Sequence, residues 1–263
     1  MPLVQADKKF EQFIIDKIME NYQTREGRDG KWHVSDLMFP RYAVFSRKYN
    51  RIPTREDVGF FLTGEAYHEF LQKLLGEHDS EVRGELFNVL GTADYFDGDT
   101  LLEIKTSRKW TVPDKPQDHY VEQAGYYCAI FGKPSARITI IYPTAGRKWD
   151  GSASSTIEIQ AWNVSFSVDE IQGIKERMKE LTTLLDKSRE TGKVDSLPPC
   201  PDWKYGGIER DKEKQEYFIK VRCPFAEQCG APCAIDLIKE LEYKNANRRK
   251  PKAEKGLASR YHK

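Results

Sequence analysis

A chain of 263 residues, 39% hydrophobic and 32% charged, can build one elaborated domain, or one domain with a small appendage, beneath a well-solvated surface. Its net charge of +1 excludes any argument from overall basicity, so a nucleic-acid partner has to be met by a local basic patch. No run of about 18 apolar residues occurs, which excludes a helical membrane span. The N-terminal stretch Met1-Pro-Leu-Val-Gln-Ala-Asp-Lys-Lys lacks the apolar segment of a secretory signal, so a cytoplasmic setting is expected. In that setting five cysteines point to metal ligands or buried thiols rather than disulfides.

Residues 8–22 place Phe10, Phe13, Ile14 and Ile18 on one helical face, the pattern of an amphipathic opening helix. After a loop rich in glycine and charge, Ser35 reads as the cap of a short helix that meets Pro40. From Gly64 to Leu75 the pattern is helical again, with Tyr67, Phe70, Leu71 and Leu74 spaced for a core face. Residues 81–97 read as a hairpin, and Thr100–Thr106 as a strand entered through the turn Asp97-Gly98-Asp99.

A helix follows over 117–131, then a β-branched run from Arg137 to Tyr142 that reads as a buried strand. Over 156–164, Ile157, Ile159 and Ala161 alternate with polar residues, as in a half-exposed strand. Ser167-Val-Asp-Glu170 is a capping box. It opens a long helix striped by Ile171, Ile174, Met178, Leu181 and Leu185 and ending near Gly192. These elements divide the chain into a core over 1–196, a Cys-containing module over 197–243 and a tail over 244–263. The tail has eight Lys/Arg against one acid and almost no apolar residues, a composition that does not fold.

The segment that carries chemistry is Gly91-Thr-Ala-Asp94-Tyr-Phe-Asp-Gly-Asp-Thr-Leu-Leu-Glu103-Ile-Lys105. Period-two geometry puts Glu103 and Lys105 on one face of a strand, with Ile104 pointing into the core and Asp94 beside them on the neighbouring strand. Two carboxylates and an ammonium at one spot are what phosphodiester hydrolysis requires. The acids hold Mg²⁺ or Mn²⁺ through oxygen, and the lysine orients or deprotonates water or stabilises developing charge. Alone, the E-x-K spacing is common, and a solvated strand face with a surface ion pair of ~0–1 kcal/mol is the competing reading. Leu101-Leu102 before Glu103 argues for a central strand instead.

In order along the chain stand Gly64-Glu-Ala-Tyr-His68-Glu69, then Asp94, then Glu103-Ile-Lys105, then Gln123-Ala-Gly-Tyr-Tyr127. This ordered set resembles the RecB-like PD-(D/E)-x-K nuclease family. There a helical histidine precedes the metal-binding Asp, and a Q-x-x-x-Y helix follows the E-x-K strand. The resemblance spans about His33 to Tyr127. It implies an α/β, restriction-endonuclease-like fold: a central mixed β-sheet flanked by helices, with the Cys-containing module at the C-terminus. It further implies His68, Asp94, Glu103 and the Ile104 carbonyl as metal ligands, Lys105 as the catalytic lysine, and Gln123 and Tyr127 as positioning groups.

Cys200, Cys223, Cys229 and Cys233 lie within 34 residues. Four soft ligands in Gly- and Pro-containing loops can enclose a 4Fe–4S cluster or tetrahedral Zn²⁺. Cys223-Pro-Phe and the stretch from His33 to Arg41 resemble the CRISPR-associated iron–sulfur branch of the same family. That branch has its first cysteine where Phe39 stands here, so iron–sulfur, zinc and no metal all stay open. Cys128, inside an apolar helix, reads as a small buried hydrophobe. Arg41, Arg108, Lys109 and Trp110 supply the mixture of cations and aromatics that suits a single strand.

The function expected is a single-strand DNA exonuclease working with CRISPR adaptation or recombination proteins. A site-specific endonuclease on the same core, or a non-catalytic nucleic-acid-binding subunit, are the rival readings.

Overall fold

The computed structural model describes residues 8–23, 30–49, 53–76, 80–107, 112–143, 157–200, 206–210, 217–221, 223–225, 229 and 243. Contacts divide the chain into two units, one of residues 1–38 and 49–186, the other of residues 39–48 and 187–263.

The first unit is built on a mixed six-stranded sheet. Its strands are β1 (Trp32–His33), β2 (Ser80–Leu86), β3 (Val89–Asp97), β4 (Thr100–Thr106), β5 (Ser135–Tyr142) and β6 (Glu158–Ser165). The order is β1-β3-β4-β5-β6, with β2 also paired to β3. β1–β3 and β4–β5 are parallel, and the other pairings are antiparallel. Helices α1 (Lys8–Gln23), α2 (Val34–Met38), α4 (Arg55–Leu75), α5 (Asp118–Phe131) and most of α6 (Val168–Thr191) complete this unit, α3 (Pro40–Lys48) belonging to the other. The expected class, a central mixed sheet flanked by helices, is the one observed.

Local chemistry explains the elements that carry the site. The β2–β3 hairpin turns through Phe87 (φ 52°) and Asn88 (φ 63°), the left-handed pair whose twist matches that of the flanking strands. β4 follows the Gly98 turn (φ 59°) and runs between β3 and β5, so that Leu101, Leu102 and Ile104 are buried. Leu102, Ile104 and Ile141 form a cluster on which Tyr67 and Leu71 of α4 and Tyr95 of β3 pack. α4 opens on a Thr54–Asp57 capping box in which each side chain meets the other residue's backbone amide.

α5 lies close against β2 and β3. Gly84 and Gly91 face each other in the register, and a Cβ on either would fall within 2.8 Å of an α5 side chain. α6 begins at the expected Ser167–Glu170 box and buries Met178, Leu181 and Leu185. It stops before Gly192 (φ 71°).

In the second unit, α3 buries Ala43, Val44 and Phe45, and the Phe225 ring lies tilted against Tyr42 and Phe45 at ring separations of 5.3 and 6.0 Å. β7 (Gly206–Arg210) and β8 (Tyr217–Val221) form an antiparallel pair there.

Four expectations need correction. Phe10, Phe13 and Ile14 on α1, and Phe70 and Leu74 on α4, are exposed. Apolar periodicity marks a helix face, but it does not supply an element to cover it. On β6 the alternation is inverted: Ile159 and Ala161 point outward, while Gln160, Trp162 and Val164 are half-buried. That strand pairs with β5, and the pairing register rather than the isoleucines decides which face is covered. Ser35 lies inside α2 rather than capping it, and the amide of His33 donates to the Asp36 carboxylate at 2.9 Å. The basic tail, 244–263, lies outside the described residues.

Candidate active site

β3 and β4 bring the two acids together. Their paired register runs from Asp97–Thr100 to Tyr95–Leu102. Just beyond, the side chain of Asp94 takes over, its Oδ2 accepting from the Ile104 amide at 2.7 Å. Asp94 Oδ1 meets His68 Nδ1 of α4 at 3.4 Å. On β4, Glu103 and Lys105 form an ion pair, as their shared strand face requires. From α5, Gln123 Nε2 donates to the Tyr127 hydroxyl at 3.2 Å, and Tyr127 lies within electrostatic reach of both Lys105 and Glu103. His68, Asp94, Glu103, Lys105, Gln123 and Tyr127, drawn from α4, β3, β4 and α5, thus form one constellation within the first unit.

The electrostatics follow from burial. Glu103 is 1% exposed, and burial pushes its carboxyl up to about 7 while Lys105 pulls the other way. For Lys105 burial works against the charge, but the Glu103 and Asp94 carboxylates outweigh it and the net shift is upward. His68 shows the same balance: burial lowers its pKa, the hydrogen bond and charge of Asp94 raise it, and the net direction is up. Burial, with Glu103 adding to it, raises the Tyr127 phenol.

Tyr120 also lies within electrostatic reach of Lys105. The sequence motif Gln123-Ala-Gly-Tyr-Tyr127 does not include it. The signal was its spacing, since positions 120, 123 and 127 share one face of α5.

Among the described residues, no group of three or more His, Cys, Asp or Glu side chains is gathered into a ready-made metal cage. At this centre the donor atoms are engaged internally: Lys105 holds Glu103 Oε1, and Asp94 serves His68 and the Ile104 amide. Glu103 Oε2, however, is buried with no hydrogen-bond partner. A buried carboxylate oxygen left unsatisfied beside a second carboxylate and an imidazole is a donor set with an unmet demand for positive charge. Its oxygen-rich chemistry fits Mg²⁺ or Mn²⁺.

Of the remaining sequence candidates, Arg41 Nε donates to the Leu197 carbonyl at 2.9 Å. Arg108, Lys109, Trp110 and Cys233 lie outside the described residues. Cys200 is buried, Cys223 and Cys229 are half-buried, and none of the three is in a disulfide among the described residues. Cys128 is fully buried and its thiol is pushed up to about 12 by that burial, as a packed hydrophobe requires.

No protein-family model matches the chain. No curated protein matches it either. Among solved structures it is similar to the crystal structure of SSO0001, with TM-score 0.48 and 20% identity over 69% of this chain and 88% of that one. It is also similar to the alkaline exonuclease LHK-Exo from Laribacter hongkongensis (TM-score 0.43, 14% identity, 66% and 94% of the two chains). A phage-related exonuclease from Haemophilus somnus 129PT is a third (TM-score 0.41, 16% identity, 61% and 83%).

Proposed function

We propose that the chain is a divalent-metal-dependent deoxyribonuclease that hydrolyses phosphodiester bonds from the ends of single-stranded DNA. The observation that supports this above all others is Glu103: a carboxylate enclosed at 1% exposure, paired with Lys105, one oxygen unsatisfied, with Asp94 and His68 alongside. Burying such groups costs desolvation that apolar residues of similar size avoid, so the arrangement points to chemistry rather than stability.

His68, Asp94, Glu103 and the Ile104 carbonyl would hold Mg²⁺ or Mn²⁺, which lowers the pKa of a bound water and offsets phosphoryl charge. Lys105 carries the cation nearest those acids and stabilises the charge that develops on the phosphate oxygens as the P–O bond breaks. Asp94, fixed by the Ile104 amide, orients His68. Gln123 donates to Tyr127 on α5, and Tyr127, within electrostatic reach of Lys105, positions it.

The resemblance suggests CRISPR spacer acquisition or recombination and end processing as the setting. The iron–sulfur and zinc readings draw no support from Cys200, Cys223 or Cys229 and do not enter the mechanism.

The test compares end-labelled linear single strands with covalently closed circles, each with Mn²⁺, Mg²⁺ or excess chelator. The proposal expects metal-dependent shortening of linear strands and intact circles. Cleavage of circles favours the endonuclease on the same core. Binding without cleavage in either metal favours the non-catalytic subunit.

A further inference from the structure

A cleft of about 820 Å³ opens along α4 beside His68, entirely within the first unit. Tyr22, Phe60 and Phe61 wall one end of it, and Gly64 and His68 continue the same helix face toward the site. Phe60 and Phe61 are about half exposed, and the Tyr22 and Phe61 rings stand 5.8 Å apart. The remaining lining is Pro53, Gln72 and three acids: Glu65, which accepts from the Tyr22 hydroxyl, together with Glu69 and Glu81.

Two features decide what such a cleft takes. Aromatic faces offered to solvent bind flat π-systems, and every nucleobase has one. Three carboxylates repel phosphate, so a polyanion cannot lay its backbone along this floor, whereas base amino groups can donate to it. The distance supports the match: eight residues of helix from Phe60 to His68 rise about 12 Å, roughly three stacked nucleotides at 3.4 Å each.

We infer that this cleft is a base-stacking subsite for the strand end, with Phe60 and Phe61 as the stacking platform and the acidic lining keeping the backbone on the rim that leads to Lys105. The inference rests on the nuclease reading above and deepens it: the bases next to the scissile phosphate are held by their faces, without sequence readout. At Gly64, between platform and site, an added Cβ would make an ordinary contact with Thr106 Oγ1 at 3.8 Å.

The test uses a strand with 2-aminopurine in its terminal nucleotides, and the same strand with those nucleotides abasic. Stacking is read by 2-aminopurine quenching, and affinity by the anisotropy of a dye at the distal end of either strand, both in a Lys105→Ala background; cleavage is read in the otherwise intact protein. The wild-type cleft should quench 2-aminopurine and lose about tenfold in affinity for the abasic strand. Phe60→Ala/Phe61→Ala should abolish quenching, raise KM about tenfold with kcat little changed, and no longer distinguish the two strands. Phe61→Tyr, which keeps the ring, should retain both. Equal affinity of the wild type for both strands, or full quenching in the double alanine variant, would overturn the inference. Failure of the wild type to cleave in either metal would sink the nuclease reading instead, and cleavage that persists in Lys105→Ala would move the hydrolytic centre; in both cases the quenching would still report on the cleft.

Discussion

Gly84→Ala is a perturbation whose sign depends on one structural claim, the close approach of α5 to β2 and β3. In an open strand, alanine for glycine restricts the unfolded chain and stabilises by about 0.4–1 kcal/mol. Here the added Cβ would lie 2.6 Å from Phe131 Cε1 and 2.8 Å from Ile130 Cγ2, where ordinary contact begins at 3.4 Å. One side chain or the helix must therefore move by nearly an ångström. Overpacking of this kind costs about 1–3 kcal/mol, enough to reverse the sign. For a unit of this size the melting temperature should fall about 2–4 °C per kcal/mol.

The consequence reaches the site, because the same helix carries Gln123 and Tyr127. Thermal and urea melts of Gly84→Ala, Phe131→Leu and the double variant form the assay. The single variants should each destabilise, and the pair should couple by about 0.5–3 kcal/mol as the smaller side chain makes room. A Gly84→Ala protein as stable as wild type, or more so, would refute the close approach.

Other predictions follow from the same structure. Thr54→Ala removes the cap of the helix that presents His68 and should cost about 0.5–2 kcal/mol in urea unfolding, whereas Thr54→Ser should cost little. Cys128 stays a neutral thiol in the folded protein up to about pH 12, so its alkylation should stay suppressed as pH rises through 9 and appear only on unfolding. Mass-spectrometric labelling at pH 8 checks this, and fast modification of Cys128 in the native protein would contradict it.

The segment that carries Asp94, Glu103 and Lys105 was legible because its signals are local. Asp97-Gly-Asp99 punctuates the turn, and the strand after it begins and ends where the composition says, at Thr100 and Thr106. Period two then sets Glu103 with Lys105 and turns Ile104 inward, and the structure keeps both. The bounds of α5 were readable too, 117–131 against the observed Asp118–Phe131, and the Ser167 box marked the start of α6.

What could not be read depends on partners distant in sequence. β1 is two residues long, and its parallel pairing to β3 exists only because the hairpin lies next to it. Gly84 and Gly91 look like weak points of two strands until α5 is seen against them. The apolar stripes of α1 and α4 promised cover that Phe10 and Phe70 do not receive, and on β6 the isoleucines turned out to face away from the sheet's covered side. The tie from Asp94 to the Ile104 amide, and the Tyr22 ring set beside Phe61, are likewise matters of tertiary placement.

The central claim is that Asp94, Glu103 and Lys105 are the hydrolytic centre. Its most direct test is the initial rate of single-stranded DNA cleavage in Mn²⁺ for wild type, Asp94→Asn and Lys105→Ala, with matched circular dichroism. The account predicts that both variants stay folded and lose about a hundredfold or more in rate. Cleavage by either variant at the wild-type rate would contradict it and move the chemistry elsewhere in the chain.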